Sequence, residues 1–281
     1  MADTLYISDL DGTLLGPDGR ISPRSREILN GLISQGVQFT VASARTPATV
    51  VDLLDGLYLR LPAVLMTGTL LYDVASRTAL AAKALSGPAL DAVCTLLDST
   101  GQEALLYCEK DSHLTAYYRQ FTGRFEQEFV AERRGSPYKT FVQTDSFARA
   151  TRGCRVLAAL LCLDDAAGAS RWYKAFSQLD DIDCFCYVNN YGQGYTVEVY
   201  PAGCDKATGL EAVKQLCGAK HVVCFGDNLN DLPLFAAADR ALAVGNACAE
   251  AKQAAGEVIG PNSEDGVALW LQAHARPEAV S

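Results

Sequence analysis

The stretch Leu5-Tyr6-Ile7-Ser8-Asp9-Leu10-Asp11-Gly12-Thr13-Leu14-Leu15 carries the decision about the fold. Its opening residues are apolar or small and suit a short buried strand. Two carboxylates follow at i and i+2. Side chains on extended backbone alternate, so Asp9 and Asp11 start on one side while Leu10 points into the core. Two acids held together repel, and the arrangement is cheap only beside a cation or with a proton bound. Gly12 then permits a tight turn whose free N–H groups can receive an anion. Such a strand end suits metal-assisted attack on a phosphate. The plainer reading is a solvated turn, because Asp-Gly is a common turn signal.

Outward from this strand, Ser22-Pro23 has the form of an N-cap and first helical residue; Ile28, Leu29, Leu32 and Ile33 share one helical face, and Gly36 closes the helix. Val37 to Ala42 reads as a second strand ending in Ser43-Ala44-Arg45. Thr46-Pro47 opens a helix carrying Val50, Leu53 and Leu54, and Ala63 to Met66 is a third strand ending at Thr67-Gly68-Thr69. This alternation predicts a parallel sheet covered by helices. From Ser86 to Gly192 the rhythm changes. Helices at Ala89 to Leu97, Leu114 to Glu132 and Ser170 to Leu179 alternate with strands at Ala104 to Cys108, Val156 to Leu163 and Cys184 to Val188, around a turn-rich Gly135-Ser136-Pro137. The parallel rhythm returns at Thr196 to Tyr200. A helix from Asp205 to Leu216 follows, stopped by Gly218, and then strands at Val222 to Phe225, Ala241 to Val244 and Glu257 to Ile259.

The expected architecture is α/β: a Rossmann-like, doubly wound parallel sheet from residues 1–85 and 193–281, with an α+β cap domain inserted over residues 86–192. Asp9 and Asp11, Ser43, Thr67, Asp227 and Asn246 each end a proposed core strand. Ligands of open parallel sheets bind at those carboxyl ends, so these residues are expected to converge on one cleft.

Hydrophobic residues make up 49% of the 281 positions and charged residues 20%, as in soluble globular enzymes. A net charge of −9 argues against a nucleic-acid partner, which asks for a basic face. The longest apolar run, Val156 to Leu163, is too short to span a membrane, and no basic leader precedes an apolar stretch. Ten cysteines lie scattered in apolar runs without zinc-ligand spacing, which suits free thiols in a reducing cytoplasm. His113, His221 and His274 lack companions at ligand spacing, and Arg149, Arg152 and Arg155 read as a solvated face.

Asp9-x-Asp11-Gly12-Thr13, Ser43, Lys206 and Gly226-Asp227-Asn228-x-Asn230-Asp231, in this order, resemble the haloacid dehalogenase superfamily, and within it the Cof-type phosphatases with a large cap. Asn262-Ser263-Glu264-Asp265-Gly266-Val267-Ala268 is similar to that family's closing pattern. The resemblance implies a Mg²⁺-dependent phosphatase acting on small phosphorylated metabolites through an aspartyl-phosphate. It implies Asp9 as nucleophile and Asp11 as general acid and base, with the Asp9 carboxylate, the Asp11 carbonyl and Asp227 as metal ligands. Gly12, Thr13, Ser43, Lys206 and Asn230 would hold the phosphate. Asn228 and Asp231 would stand behind them, Asp231 orienting Lys206. Arg45, at its strand end, could reach phosphate or neutralise the acids.

The chain departs from the family pattern at Thr67-Gly68-Thr69, at Ala44 before Arg45, and at Ala207 after Lys206, all on the substrate side. Two other functions fit less well: a sugar phosphomutase, and a phosphate-binding regulatory domain without turnover. Asp11 speaks against the second, because a pure phosphoacceptor needs no leaving-group acid. Substrate choice is expected from the insertion, swinging about Leu80 to Leu85 and Tyr191-Gly192-Gln193-Gly194, with Asn189, Asn190, Tyr191 and Gln193 either supplying hydrogen bonds to substrate hydroxyls or forming a simple turn.

Overall fold

The opening stretch forms strand β1 (Thr4–Ser8) in the computed structural model, which describes residues 3–120, 124–131, 133–188 and 194–275. The chain continues through α1 (Pro23–Ser34), β2 (Gln38–Val41), α2 (Pro47–Val50), β3 (Ala63–Leu65), β4 (Leu70–Asp73) and β5 (Thr78–Ala82). Next come α3 (Gly87–Thr100), β6 (Leu105–Lys110), β7 (His113–Tyr118), α4 (Arg124–Ala131), β8 (Lys139–Gln143) and α5 (Phe147–Ala150). These lead to β9 (Arg155–Leu163), α6 (Ala166–Phe176), β10 (Ile182–Val188) and β11 (Tyr195–Pro201). The last part holds α7 (Lys206–Cys217), β12 (His221–Gly226), α8 (Leu232–Ala237), β13 (Arg240–Ala243), α9 (Ala249–Ala254), β14 (Glu257–Val258) and α10 (Gly266–His274).

Two units result. The first comprises Met1–Thr46, Val50–Leu80 and Asp205–Ser281; the second comprises Pro47–Thr49 and Ala81–Cys204. In the first, a five-stranded parallel sheet runs in the order β14-β13-β12-β1-β2, the layout expected of a Rossmann-like core. Leu5, Ile7, Leu10, Cys224 and Phe225 are fully buried, which anchors β1 and β12 at the sheet centre. Strand β3 meets this sheet through a parallel bridge between Ala42 and Val64, and it pairs antiparallel with β4. Ser22 caps α1 by accepting from the Ser25 N–H, with Pro23 at the first turn, and Gly218 ends α7 in the left-handed region, both as the sequence predicts.

The second unit is built on a six-stranded sheet, β10-β11-β9-β6-β7-β8, antiparallel except between β7 and β8. Two expectations need correction here. Leu114 to Tyr118 is strand, not the start of a helix: Leu114 and Ala116 are buried while Thr115 and Tyr117 are half-exposed, a period of two. The helix begins only at Arg124. Thr196 to Tyr200 does not resume the parallel sheet. It lies in β11, antiparallel to β9 and β10, and closes the second unit's sheet instead. Strand β8 was not expected, because it follows directly on a Gly-Ser-Pro turn. The proposed hinge and contact residues Asn189, Asn190, Tyr191, Gly192 and Gln193 lie outside the described residues. Among the described residues, no helix is long and apolar enough to cross a membrane.

Candidate active site

Asp9 leaves β1 still in register, its N–H donating to the Phe225 carbonyl at 2.9 Å, so the nucleophile candidate is fixed from the sheet centre. The chain then turns sharply. Gly12 sits at φ 76°, and the Leu14 and Leu15 N–H groups close back on the Asp9 and Leu10 carbonyls at 3.3 and 2.8 Å. Gly12 is required for a second reason: a Cβ there would come within 2.4 Å of Asp227 Oδ2. The turn thus presses on the end of β12, and the Thr13 hydroxyl donates to Asp227 Oδ1 at 2.8 Å.

Lys206 comes in from the start of α7. Its helix packs tightly on β3, where a Cβ on Gly209 would lie 2.2 Å from Val64 Cγ1. Asp205 caps the helix, accepting from the Thr208 N–H at 2.7 Å. The Thr67-Gly68-Thr69 loop abuts this helix start, for a Cβ on Gly68 would fall 1.9 Å from the Asp205 carbonyl. Lys206, 1% exposed, donates from Nζ to Asp9 Oδ1 and to Asp231 Oδ1, each at 2.6 Å. Burial alone would lower its pKa, but the two carboxylates outweigh it and hold the ammonium firmly charged. Asp231 is fully buried, and its other oxygen accepts the Asp227 and Asn228 N–H groups at 2.9 and 3.1 Å. Gly226 makes room for it, since a Cβ there would reach the Asp231 carboxyl at 2.7 Å.

Ligand oxygens of Asp9, Asp227 and Asp231 lie within 4.8 Å of one another. Burial, helped by the neighbouring Asp231 carboxylate, pushes the Asp9 and Asp227 carboxyls above their ordinary values, against the pull of Lys206. One ammonium therefore faces three acids. The oxygens of Asp231 are taken by Lys206 and two amides, which leaves Asp9 and Asp227 as donors. All-oxygen donors short of positive charge fit a hard divalent cation such as Mg²⁺.

Asp11 faces elsewhere. Its carboxylate, 54% exposed, accepts two bonds from Arg45: from Nε at 2.7 Å and from Nη2 at 2.5 Å. Arg45 thus pairs with Asp11 rather than with the buried acids, and both readings of it, phosphate contact and charge neutralisation, stay open. Ser43 is 1% exposed, pinned by its N–H to the Val64 carbonyl at 2.8 Å, and its hydroxyl accepts the Arg45 N–H at 3.2 Å. Asn228 caps the short Leu229–Asp231 turn. Asn230 is exposed on that turn, and no hydrogen bond among the described residues joins it to the acids. The sequence places Asn246 among the strand ends expected at the cleft but gives it no partner; its amide donates to the Gly12 carbonyl at 2.7 Å. Its position at the end of a core strand was the available signal.

A family model described as haloacid dehalogenase-like hydrolase matches residues 6–271. The chain is 28% identical to the pyridoxal phosphate phosphatase of Escherichia coli, over 98% of this chain and 99% of that protein. It is 26% identical to the 5-amino-6-(5-phospho-D-ribitylamino)uracil phosphatase of Bacillus subtilis, covering 94% and 95%. Among solved structures, a Thermotoga maritima protein superposes with a TM-score of 0.79 over 100% of both chains at 18% identity. A sugar phosphatase of HAD subclass IIB gives 0.74 over 96% and 98%, also at 18% identity.

Proposed function

The chain belongs to the haloacid dehalogenase-like hydrolases, and from that premise we propose that it is a Mg²⁺-dependent phosphatase of small phosphorylated metabolites working through an aspartyl-phosphate. The observation that carries the reading is the group at the end of β1: buried Asp9 bonded to Lys206, Asp227 within ligand distance, and Asp11 two residues on. Its relatives are named as phosphatases of pyridoxal phosphate and of a ribitylaminouracil phosphate, which favours hydrolysis over isomerisation of sugar phosphates.

Asp9 and Asp227, with the Asp11 carbonyl, would hold the cation, which when bound offsets repulsion between the Asp9 carboxylate and a phosphate dianion. The Asp9 carboxylate attacks phosphorus and the bond to the ester oxygen breaks. Asp11 delivers a proton to that departing oxygen. It later takes one from the water that attacks the aspartyl-phosphate, releasing inorganic phosphate and restoring Asp9. Lys206 and Ser43 steady the phosphoryl oxygens, with Lys206 held by Asp231. The bidentate Arg45 pair occupies both carboxylate oxygens of Asp11, so Asp11 reaches a departing oxygen only once that pair opens. An incoming phosphate dianion competes for the guanidinium and supplies a reason for the pair to part.

The test is phosphate release over a panel of phosphorylated metabolites that includes the two substrates named for the relatives. Activity should vanish in excess EDTA and return with Mg²⁺. Full activity in EDTA, with metal content checked, would remove the metal from the reading; no phosphate release from any ester would remove the activity.

A further inference from the structure

The loop after β13 touches both acid-bearing turns of the first unit. The Val244 N–H donates to the Gly226 carbonyl at 3.2 Å, and the Cys248 N–H donates to the Asp227 carbonyl at 2.9 Å. Between them, Asn246 Nδ2 donates to the Gly12 carbonyl at 2.7 Å, and Asn246 Oδ1 accepts the Asn262 N–H at 2.9 Å. Asn262 in turn donates from Nδ2 to the Leu15 carbonyl at 2.8 Å, just past the far end of the same turn. The residue that Asn246 holds is the one whose missing Cβ lets the turn close on Asp227. The next residue, Thr13, bonds the Asp227 carboxylate directly.

We propose that Asn246 is a positioning residue that sets the spacing of Asp9 and Asp227, and through it the affinity for the divalent cation and the rate of phosphoryl transfer. It acts through Gly12 and Thr13, and its amide meets a backbone carbonyl rather than a carboxylate. The second amide bond fixes its orientation: with Oδ1 taken by Asn262, Nδ2 faces Gly12. A side chain without a donor would release the Gly12 carbonyl, and the turn would be free to move against Asp227. Asn246 is exposed, so its replacement removes little packing and the fold should stand. The rate arm rests on the phosphatase reading above; the cation arm rests only on the acid cluster.

The experiment compares the full chain with Asn246→Ala and with Asn246→Leu, which is similar in size to asparagine and has no donor. Mg²⁺ alone is titrated by calorimetry and by the melting shift that it produces, and turnover of 4-nitrophenyl phosphate is measured at saturating Mg²⁺. Both variants should melt within about 3 °C of the parent without metal and bind Mg²⁺ roughly three- to tenfold more weakly, the worth of one hydrogen bond. Their kcat should fall by a similar factor while KM stays within about twofold, because Lys206 and Ser43, proposed to steady the phosphoryl oxygens, are untouched. Mg²⁺ affinity equal to the parent's in the folded variants would overturn the proposal. So would a loss that only follows a lowered melting point, or a parent chain that binds no Mg²⁺. A parent that binds Mg²⁺ but releases no phosphate would sink the phosphatase reading and leave this one to the binding arm.

Discussion

Gly12 answers to two constraints at once, a φ of 76° and the Asp227 carboxylate 2.4 Å from where its Cβ would be. Gly12→Ala should therefore cost more than the roughly 1–2 kcal/mol of a left-handed alanine, because Asp227 must also move. A displacement near 1 Å at reacting groups is worth about 10² in rate, and kcat of the folded variant is expected to fall by that order; an unchanged kcat would show that the turn does not set Asp227. Asp9→Asn is a different kind of loss. The amide oxygen can still accept from Lys206, and Asp231 keeps the ammonium paired, so the protein should fold while turnover drops on the order of 10³ or more. Near-normal hydrolysis by folded Asp9→Asn would falsify the nucleophile assignment. That Asp9, Lys206 and Asp227 come together was legible: strand-end position marks the two aspartates, and order along the chain within the family resemblance marks Lys206. The Arg45 pair with Asp11 and the Asn246 bond to Gly12 were not, since they join positions 34 and 234 apart in the chain. Contacts of that kind arise only when separate strand ends meet.

Elements of the first unit were legible because each core strand is a short apolar run closed by a polar end, with caps such as Ser22 and stops such as Gly218 around the helices. The second unit was harder. In β7 the spacing of Leu114 and Tyr117 satisfies a helix while that of Leu114 and Ala116 satisfies a strand, and only pairing with β6 and β8 decides between them. Strand β8 also carries an anomaly, Lys139. This residue is 2% exposed, with its ammonium 5.3, 5.9 and 5.1 Å from the ring centres of Tyr107, Phe129 and Phe141. Among the described residues no carboxylate pairs with it, and Arg133 adds like charge. Burial, helped by Arg133, pulls its pKa down from 10.5 to about 7. Cation–π contacts offset only part of that cost. The unfolded chain holds this proton up to about pH 10 and the folded chain only to about pH 7, so stability should rise with pH through that window, with the penalty complete below it. Lys139→Met keeps the length and removes the charge. It should be the more stable protein near pH 6, by on the order of 3 kcal/mol, with the gap closing toward about pH 10. Urea unfolding of both proteins across that range reads the gap directly, and a constant gap would mean that Lys139 keeps an ordinary pKa in the fold.

For the whole molecule, the groups gathered in the first unit act on a phosphate, its ester oxygen and a cation, features that all phosphate monoesters share. Ser43, Lys206, Asp9 and Asp227 therefore give no basis for preferring one metabolite to another. The net charge of −9 narrows the field only at the level of partner class, away from nucleic-acid backbones. Recognition of the leaving group calls for residues of varied chemistry with exposed side chains, and the second unit is where we propose to look for them. Phe185 and Tyr187, on its edge strand β10, are each 42% exposed although large and aromatic. Exposed aromatics are expensive to leave in water unless they bind something, and they stack on planar rings or cover the apolar faces of sugars. Substituting them should thus alter choice without altering chemistry. Phe185→Ala and Tyr187→Ala are expected to reorder kcat/KM over a panel of phosphorylated metabolites by about tenfold or more for at least one substrate pair, the size of a modest apolar contact. Turnover of 4-nitrophenyl phosphate, whose leaving group departs with little help, should stay within about tenfold of the parent. Exposure makes Phe185→Ala mild for folding, whereas Tyr187 also donates its hydroxyl to Glu198, so melting is measured beside turnover and a loss that only follows a lowered melting point does not count as a change of choice. If the two variants keep the parent's order across the panel, selection does not lie on this strand. If they lose 4-nitrophenyl phosphate turnover in proportion to every other substrate, these side chains serve the phosphoryl chemistry itself, and the division of labour between the units is wrong.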